Sequence, residues 1–339
     1  MADYKKYLLY IEHIFIICII AFLIWTNFGS RYKKNDDENK TKEIRQSGYD
    51  FVNPLLECEV EGEQALKSYV PFEKKIKNRV NEEIILPNKN MHLSVYFRNL
   101  NNGPWFGINE KEYFSPASLL KVPIMIAYFK EMEENSELAD REIFMDENRA
   151  SSFRQDAAPS NGIETEKKYT VENLIERMIV HSDNDAMSLL LDNISPEKLI
   201  KVYADLGVVA PDDQNIDNFM SVKDYASFFR ILYNAAYLEK KSSEKALKLL
   251  SKSDFKGGLV AGMPENIKIS HKFGERGLEE ASGYKRQLHD CGIVYYEKYP
   301  YLLCVMTRGD DLKKLSSVIA GVSKIVFEEI SADFPEEKK

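Results

Sequence analysis

Apolar residues follow three regimes along the 339-residue chain. The first is a nearly unbroken run at residues 7–28, "YLLYIEHIFIICIIAFLIWTNF", interrupted by Glu12 and His13. As a helix it is long enough to cross a hydrocarbon core of about 30 Å, and Tyr7 and Trp25 suit the two interfaces. Its uninterrupted centre also has the length of a signal-peptide core. No clear A-x-A site follows, so an uncleaved anchor over residues 1–29 is preferred to a cleaved signal. Lys5 and Lys6 precede the span while Arg31, Lys33 and Lys34 follow it, so charge alone does not orient it.

The second regime, residues 30–50, is "SRYKKNDDENKTKEIRQSGYD". It is charged and nearly free of large aliphatics, which predicts a solvated tether. The third runs over residues 51–339 and has the patterning of a folded domain. "GEQALKSYVPFEKKIKNRVNEEI" predicts an amphipathic helix that Pro71 would break or kink. "MHLSVYFRNLNNGPWFGINEKEYF" alternates on both sides of a turn-forming "NNGP", the signature of a hairpin. A helical block follows, from "LLKVPIMIAYFKEMEE" to "VKDYASFFRILYNAAYL". Strands return in "NIKISHKFGE", "YKRQLHDCGIVYYE" and "YLLCVMTRG", and "LKKLSSVIAGVSKIVFEEI" closes the domain as a helix. This order predicts an α+β fold. The first and last strands share one antiparallel sheet, with the terminal helices packed on it and a mostly helical subdomain to one side.

Composition narrows the function. A net charge of -8 and a pI near 5.4 leave no excess of cations to neutralise phosphates, which argues against a nucleic-acid partner. The four cysteines (18, 58, 291 and 304) show no C-x-x-C spacing, and the five histidines form no metal-binding pattern. Cys291 and Cys304 flank a predicted hairpin and are candidates to pair in an oxidising compartment.

The candidate chemistry lies at three places. S-x-x-K occurs six times, starting at Ser30, Ser118, Ser195, Ser242, Ser253 and Ser282, so the pattern alone identifies nothing. At Ser118-Leu119-Leu120-Lys121 the serine opens an apolar helix, where unpaired backbone N–H groups favour a developing negative charge. Lys121 at i+3 shares its face. A lysine works as a base only when neutral, which burial or a neighbouring cation arranges. Taken alone, the tetrad is an ordinary helix start. Ser182-Asp183-Asn184 separates two apolar helical stretches and alone reads as a helix break with a cap. Lys272-Phe273-Gly274 lies in a predicted strand and alone reads as an edge carrying a solvated lysine.

Taken in this order, the three motifs resemble the penicillin-recognising serine enzymes, specifically the class A β-lactamase-like branch. The flanking "FSPASLLKVPIMIAYF", "TVENLIERMIVHSDNDAMSLLLDNI" and "CGIVYY…YLLCVMTRG" also look like that family, over roughly residues 85–330. The resemblance implies Ser118 as nucleophile, Lys121 as base and Ser182 as proton relay to the leaving nitrogen, with Lys272 holding the relay and attracting substrate. Asn184 would orient substrate and Lys121, and Asp183 would point inward to hold the turn. Gly274 would admit the substrate backbone, and the backbone N–H groups of Ser118 and Glu275 would form an oxyanion hole. No metal or organic cofactor is implied.

The chain departs from the family pattern twice. Phe273 stands where the family carries Ser or Thr, removing a hydroxyl that would bind a substrate carboxylate. Arg276, on the same strand face as Lys272 if the strand is regular, is the candidate replacement, and Arg308 is a second one without positional support. Between Gly207 and "MSVKDYASFF" there is also no E-x-x-L-N glutamate to activate water; Asp212, Asp213 and Asp217 match no motif. The sequence therefore implies a membrane-anchored, extracytoplasmic serine acyl-enzyme acting on a β-lactam or a D-alanyl peptide of peptidoglycan, with efficient β-lactam hydrolysis disfavoured. The alternative is a non-catalytic cell-wall-binding module with a degenerate site.

Overall fold

The computed structural model describes residues 42–45, 48–59, 64–101, 103–147, 162–211, 217–280, 283–297 and 299–334. The apolar run at residues 7–28 lies outside them. Among the described residues no helix is long and apolar enough to cross a membrane.

The stretch read as a tether ends in structure. Strand β1 (Lys42–Arg45) pairs with β2 (Leu55–Glu59). Arg45 donates to Asn53 O and to Asn234 Oδ1, while the Glu244 carboxylate accepts from the backbone N–H groups of Asp50, Phe51 and Val52. The chain thus enters the globule through a clamp of charge-assisted bonds.

Helix α1 (Gln64–Arg79) runs through Pro71 without the expected break. Its Tyr69, Phe72 and Ile76, with Val80 just beyond, pack on the sheet, and that burial outweighs a proline defect of about 3 kcal/mol. The predicted hairpin forms from β3 (His92–Asn99) and β4 (Trp105–Ile108), closed by Gly103 at φ +82°. β5 (Tyr113–Phe114) leads to a 3-10 turn (Ala117–Leu120) and then α2 (Lys121–Glu134). β6 (Glu142–Met145) pairs with β7 (Lys167–Thr170). The helical block continues with α3 (Val171–Val180), α4 (Asn184–Leu191) and α5 (Pro196–Asp205). β8 (Met220–Ser221) pairs back to β5 and precedes α6 (Val222–Tyr233), α7 (Lys240–Leu250) and the short α8 (Gly258–Ala261). The chain closes with β9 (Ile269–Glu280), β10 (Gly283–Val294), β11 (Tyr301–Gly309) and α9 (Leu312–Asp333).

The central sheet has five antiparallel strands in the order β4-β3-β11-β10-β9, joining first and last strands in an α+β fold. One face packs on α1 and α9, the other on the helical block, so β11 is buried almost throughout rather than alternating. β9 is left as an edge strand against the helical block. Register places Lys272, Cys291, Cys304 and Tyr96 in one cross-strand row and Arg276, Gln287 and Arg308 in another. Cys291 and Cys304 face each other across β10 and β11 and are joined by a disulfide.

Candidate active site

Ser118 stands in the 3-10 turn, one step before the α-helix that Lys121 opens. Its side chain is half-buried. Ala117 sits at φ +50°, a conformation that disfavours a residue bearing Cβ and that no sequence signal announced. Three side chains hold the turn by its root at Ser115. Gln287 Oε1 accepts from Ser115 N at 3.1 Å, His289 Nε2 donates to Ser115 O at 2.8 Å, and Arg276 Nη1 donates to Ser115 Oγ at 2.8 Å. His289 also accepts at Nδ1 from Thr307 N, which fixes its tautomer. Burial lowers its pKa to about 4, so it is neutral.

Gly274 of β9 presses against this turn. A Cβ there would lie 2.7 Å from Pro116 O and 3.0 Å from Leu119 N. The missing side chain thus makes room for the protein's own Ser118 turn.

Lys121 is fully buried and has four acceptor atoms around Nζ: Ser182 O and Asn184 Oδ1 at 2.6 Å, Ser118 Oγ and Ser182 Oγ at 3.1 Å. A neutral amine with two N–H groups satisfies the two short contacts and leaves its lone pair for a hydroxyl. Burial lowers the pKa of Lys121 to about 7, opposed by the nearby Asp183 carboxylate. Ser182 is held at φ +55°. Asp183, as expected, turns inward: it caps α4 by accepting from Asp185 N and Ala186 N, and its other oxygen accepts from Ile163 N.

Lys272 approaches from β9 and donates to Ser182 Oγ at 3.0 Å and Phe273 O at 2.9 Å. Burial, then the proximity of Lys121, pushes its pKa well below the ordinary lysine value. Ser118, Lys121, Ser182, Asn184 and Lys272 therefore converge on one site. Phe273 stacks on Phe255 at 4.1 Å, and its ring centroid lies 4.1 Å from Lys272 Nζ. Glu275 lies opposite Leu288 of β10, its carboxylate 4.0 Å from Arg286. Arg276 does share the face of Lys272, as regular pairing demands, but it is not beside Ser182: it binds Ser115 and, through Nη2, Asp217 Oδ1 at 2.7 Å. Asp212 and Asp213 lie outside the described residues.

Sequence reasoning missed Ser115, Gln287 and His289, and gave Asp217 no role. For Gln287 and His289 the cue was the stretch "QLHD" just before the apolar end of its strand.

Comparisons with known proteins bear on the fold and the family. A leucine-to-glutamate mutant of PBP-A in acyl-enzyme complex with penicillin G superposes with a TM-score of 0.64 at 21% identity, covering 76% of this chain and 97% of that one. A beta-lactamase from Sphaerobacter thermophilus gives 0.62 at 19% identity, covering 78% and 99%. A class A beta-lactamase from Bacteroides cellulosilyticus gives 0.64 at 17%, covering 77% and 99%. At these identities the likeness establishes the fold. No curated protein matches the chain. The family model described as the beta-lactamase enzyme family matches residues 71–330, most of the domain. The chain belongs to the beta-lactamase enzyme family and is a serine hydrolase of that family.

Proposed function

We propose that the protein forms an acyl-enzyme at Ser118 with a β-lactam or a D-alanyl peptidoglycan peptide. The reading rests on one observation: Nζ of Lys121 lies 3.1 Å from Ser118 Oγ, and both Lys121 and Lys272 reach Ser182 Oγ. Neutral Lys121 takes the Ser118 proton as Oγ bonds to the carbonyl carbon. The backbone N–H groups of Ser118 and Glu275 receive the developing oxyanion. As the carbon–nitrogen bond breaks, Ser182 gives its proton to the leaving nitrogen and regains one from Lys121. Asn184 and Lys272 hold Lys121 and Ser182 in place. The penicillin G acyl-enzyme of PBP-A, on the same fold, supports acylation as the chemistry.

Between Leu206 and Met220 the sequence holds no glutamate. Without a placed base for water, the acyl-enzyme is hydrolysed slowly or passed to an amine, which favours a penicillin-binding role over efficient β-lactam hydrolysis. Residues 7–28 would anchor the protein, with its domain outside the cytoplasm where such substrates occur.

Full-length protein in detergent, treated with a fluorescent penicillin and examined by intact mass, tests this reading. A long-lived adduct absent from Ser118→Ala is expected. Rapid turnover would indicate an efficient β-lactamase instead. No adduct under any condition would favour the wall-binding module.

A further inference from the structure

Along β9, the residues facing the helical block meet the rest of the site in a fixed order. Lys272 holds Ser182, Gly274 abuts Pro116 and Leu119, and Arg276 reaches Ser115 and Asp217. At about 3.3 Å per residue, Arg276 stands roughly 13 Å from Lys272, with the Ser118 turn between them. Given the proposed role of Ser182 as proton donor to the leaving nitrogen, on which this inference rests, the leaving half of the substrate lies toward Lys272. The acyl half then extends toward Arg276. We infer that Arg276 receives a carboxylate on the acyl half of the substrate, and that Asp217 occupies that place when substrate is absent.

The geometry favours an anion over a cation at this end. Nη1 of Arg276 is fixed on the buried Ser115 Oγ, so the guanidinium is aimed before substrate arrives. Its bond to Asp217 is an exposed pair, the Arg276 side chain being 35% and the Asp217 side chain 62% accessible. Such a pair is weak, and exchanging Asp217 for a substrate carboxylate returns Asp217 to water. A substrate ammonium at Asp217 would instead lie against the guanidinium. Opening the pair leaves the adjacent Asn218 held, because Gln287 Nε2 donates to its Oδ1 at 3.0 Å. The other arginine of the row, Arg308, is engaged by Glu112 and lies over the Phe114 ring.

Carbenicillin, benzylpenicillin and ampicillin test this, since they share one leaving half and carry a carboxylate, a hydrogen or an ammonium on the acyl side. The readout is the ratio of acylation rates on the full-length protein. In Arg276→Gln the carbenicillin-to-benzylpenicillin ratio should fall about tenfold, the worth of one charge-assisted hydrogen bond. In Asp217→Asn it should rise, while the ampicillin ratio falls. Unchanged ratios, or an equal loss for all three compounds, would make the pair a structural latch and overturn the inference. If no penicillin acylates the wild type, the acyl-enzyme reading fails, and the subsite is judged by thermal shift alone. Phenylmalonate should then stabilise the protein more than phenylacetate, with the difference lost in Arg276→Gln. Equal shifts would overturn the inference by that route.

Discussion

Lys121 and Lys272 reach the same hydroxyl, Ser182 Oγ, at 3.1 and 3.0 Å. Two buried ammonium groups this close repel, so each amine disfavours protonation of the other. Lys121 titrates at about 7, chiefly because it is buried. Below that value it is an ammonium and cannot take the Ser118 proton. The acylation rate should therefore be low in acid, rise through about pH 7 and level off above it. Stopped-flow acylation by benzylpenicillin across pH checks this; a rate that falls as pH rises through 7 would remove Lys121 as the base.

Ser182→Ala leaves both amines in place and deletes the oxygen between them. The proposed relay then has no route to the leaving nitrogen, and acylation should slow by roughly 10²–10⁴, the usual worth of a general acid. Because position 182 keeps its φ of +55°, alanine inherits the backbone conformation and the loop need not rearrange. Acylation rate and Tm measured on one preparation separate the cases. A slow variant with unchanged Tm supports the relay, whereas equal losses in both make Ser182 a structural residue.

Gly274→Ala places a methyl 2.7 Å from Pro116 O and 3.0 Å from Leu119 N. Backbone atoms give way poorly, so the Ser118 turn must move off β9. Overpacking of this kind typically destabilises by about 1–3 kcal/mol. Activity should fall further than stability, because the shift moves Ser118 relative to Lys121. A variant with full acylation and unchanged Tm would show that the turn does not need this close approach.

Each motif alone is ordinary for its element, a helix start, a helix break or an edge strand; the three were legible because their order along the chain resembles one family. The α+β order was legible from the switch between alternating and helical periodicity. The hidden parts depend on register and on packing. Arg276 and Lys272 share a face, as the two-residue period requires, yet the sequence does not say what each meets there. Ser115 is, in the sequence, a small polar residue before a proline, and Gln287, His289 and Arg276 all converge on it. Its partners come from strands more than 160 residues away, and only the β9–β10 register aligns them. The uninterrupted α1 escaped prediction for a related reason, since tertiary burial of Phe72 and Ile76 overrode the local effect of Pro71.

Asp183 links the stability of the site to its chemistry, and Asp183→Asn separates the two. One carboxylate oxygen caps α4, a task that asparagine performs about as well. The other accepts from Ile163 N at 2.8 Å. An amide NH₂ there would face a donor, and leaving that N–H unsatisfied should cost about 1–3 kcal/mol, visible as a lower Tm. The substitution also removes the anion that supports protonation of Lys121. With burial now unopposed, the pKa of Lys121 must fall further, and the midpoint of the acylation profile should move to more acid pH than in the wild type. Stability and pH profile thus shift for separate reasons and are measured separately. A midpoint that stays fixed or moves toward alkaline pH in Asp183→Asn would mean that the titrating group is not Lys121.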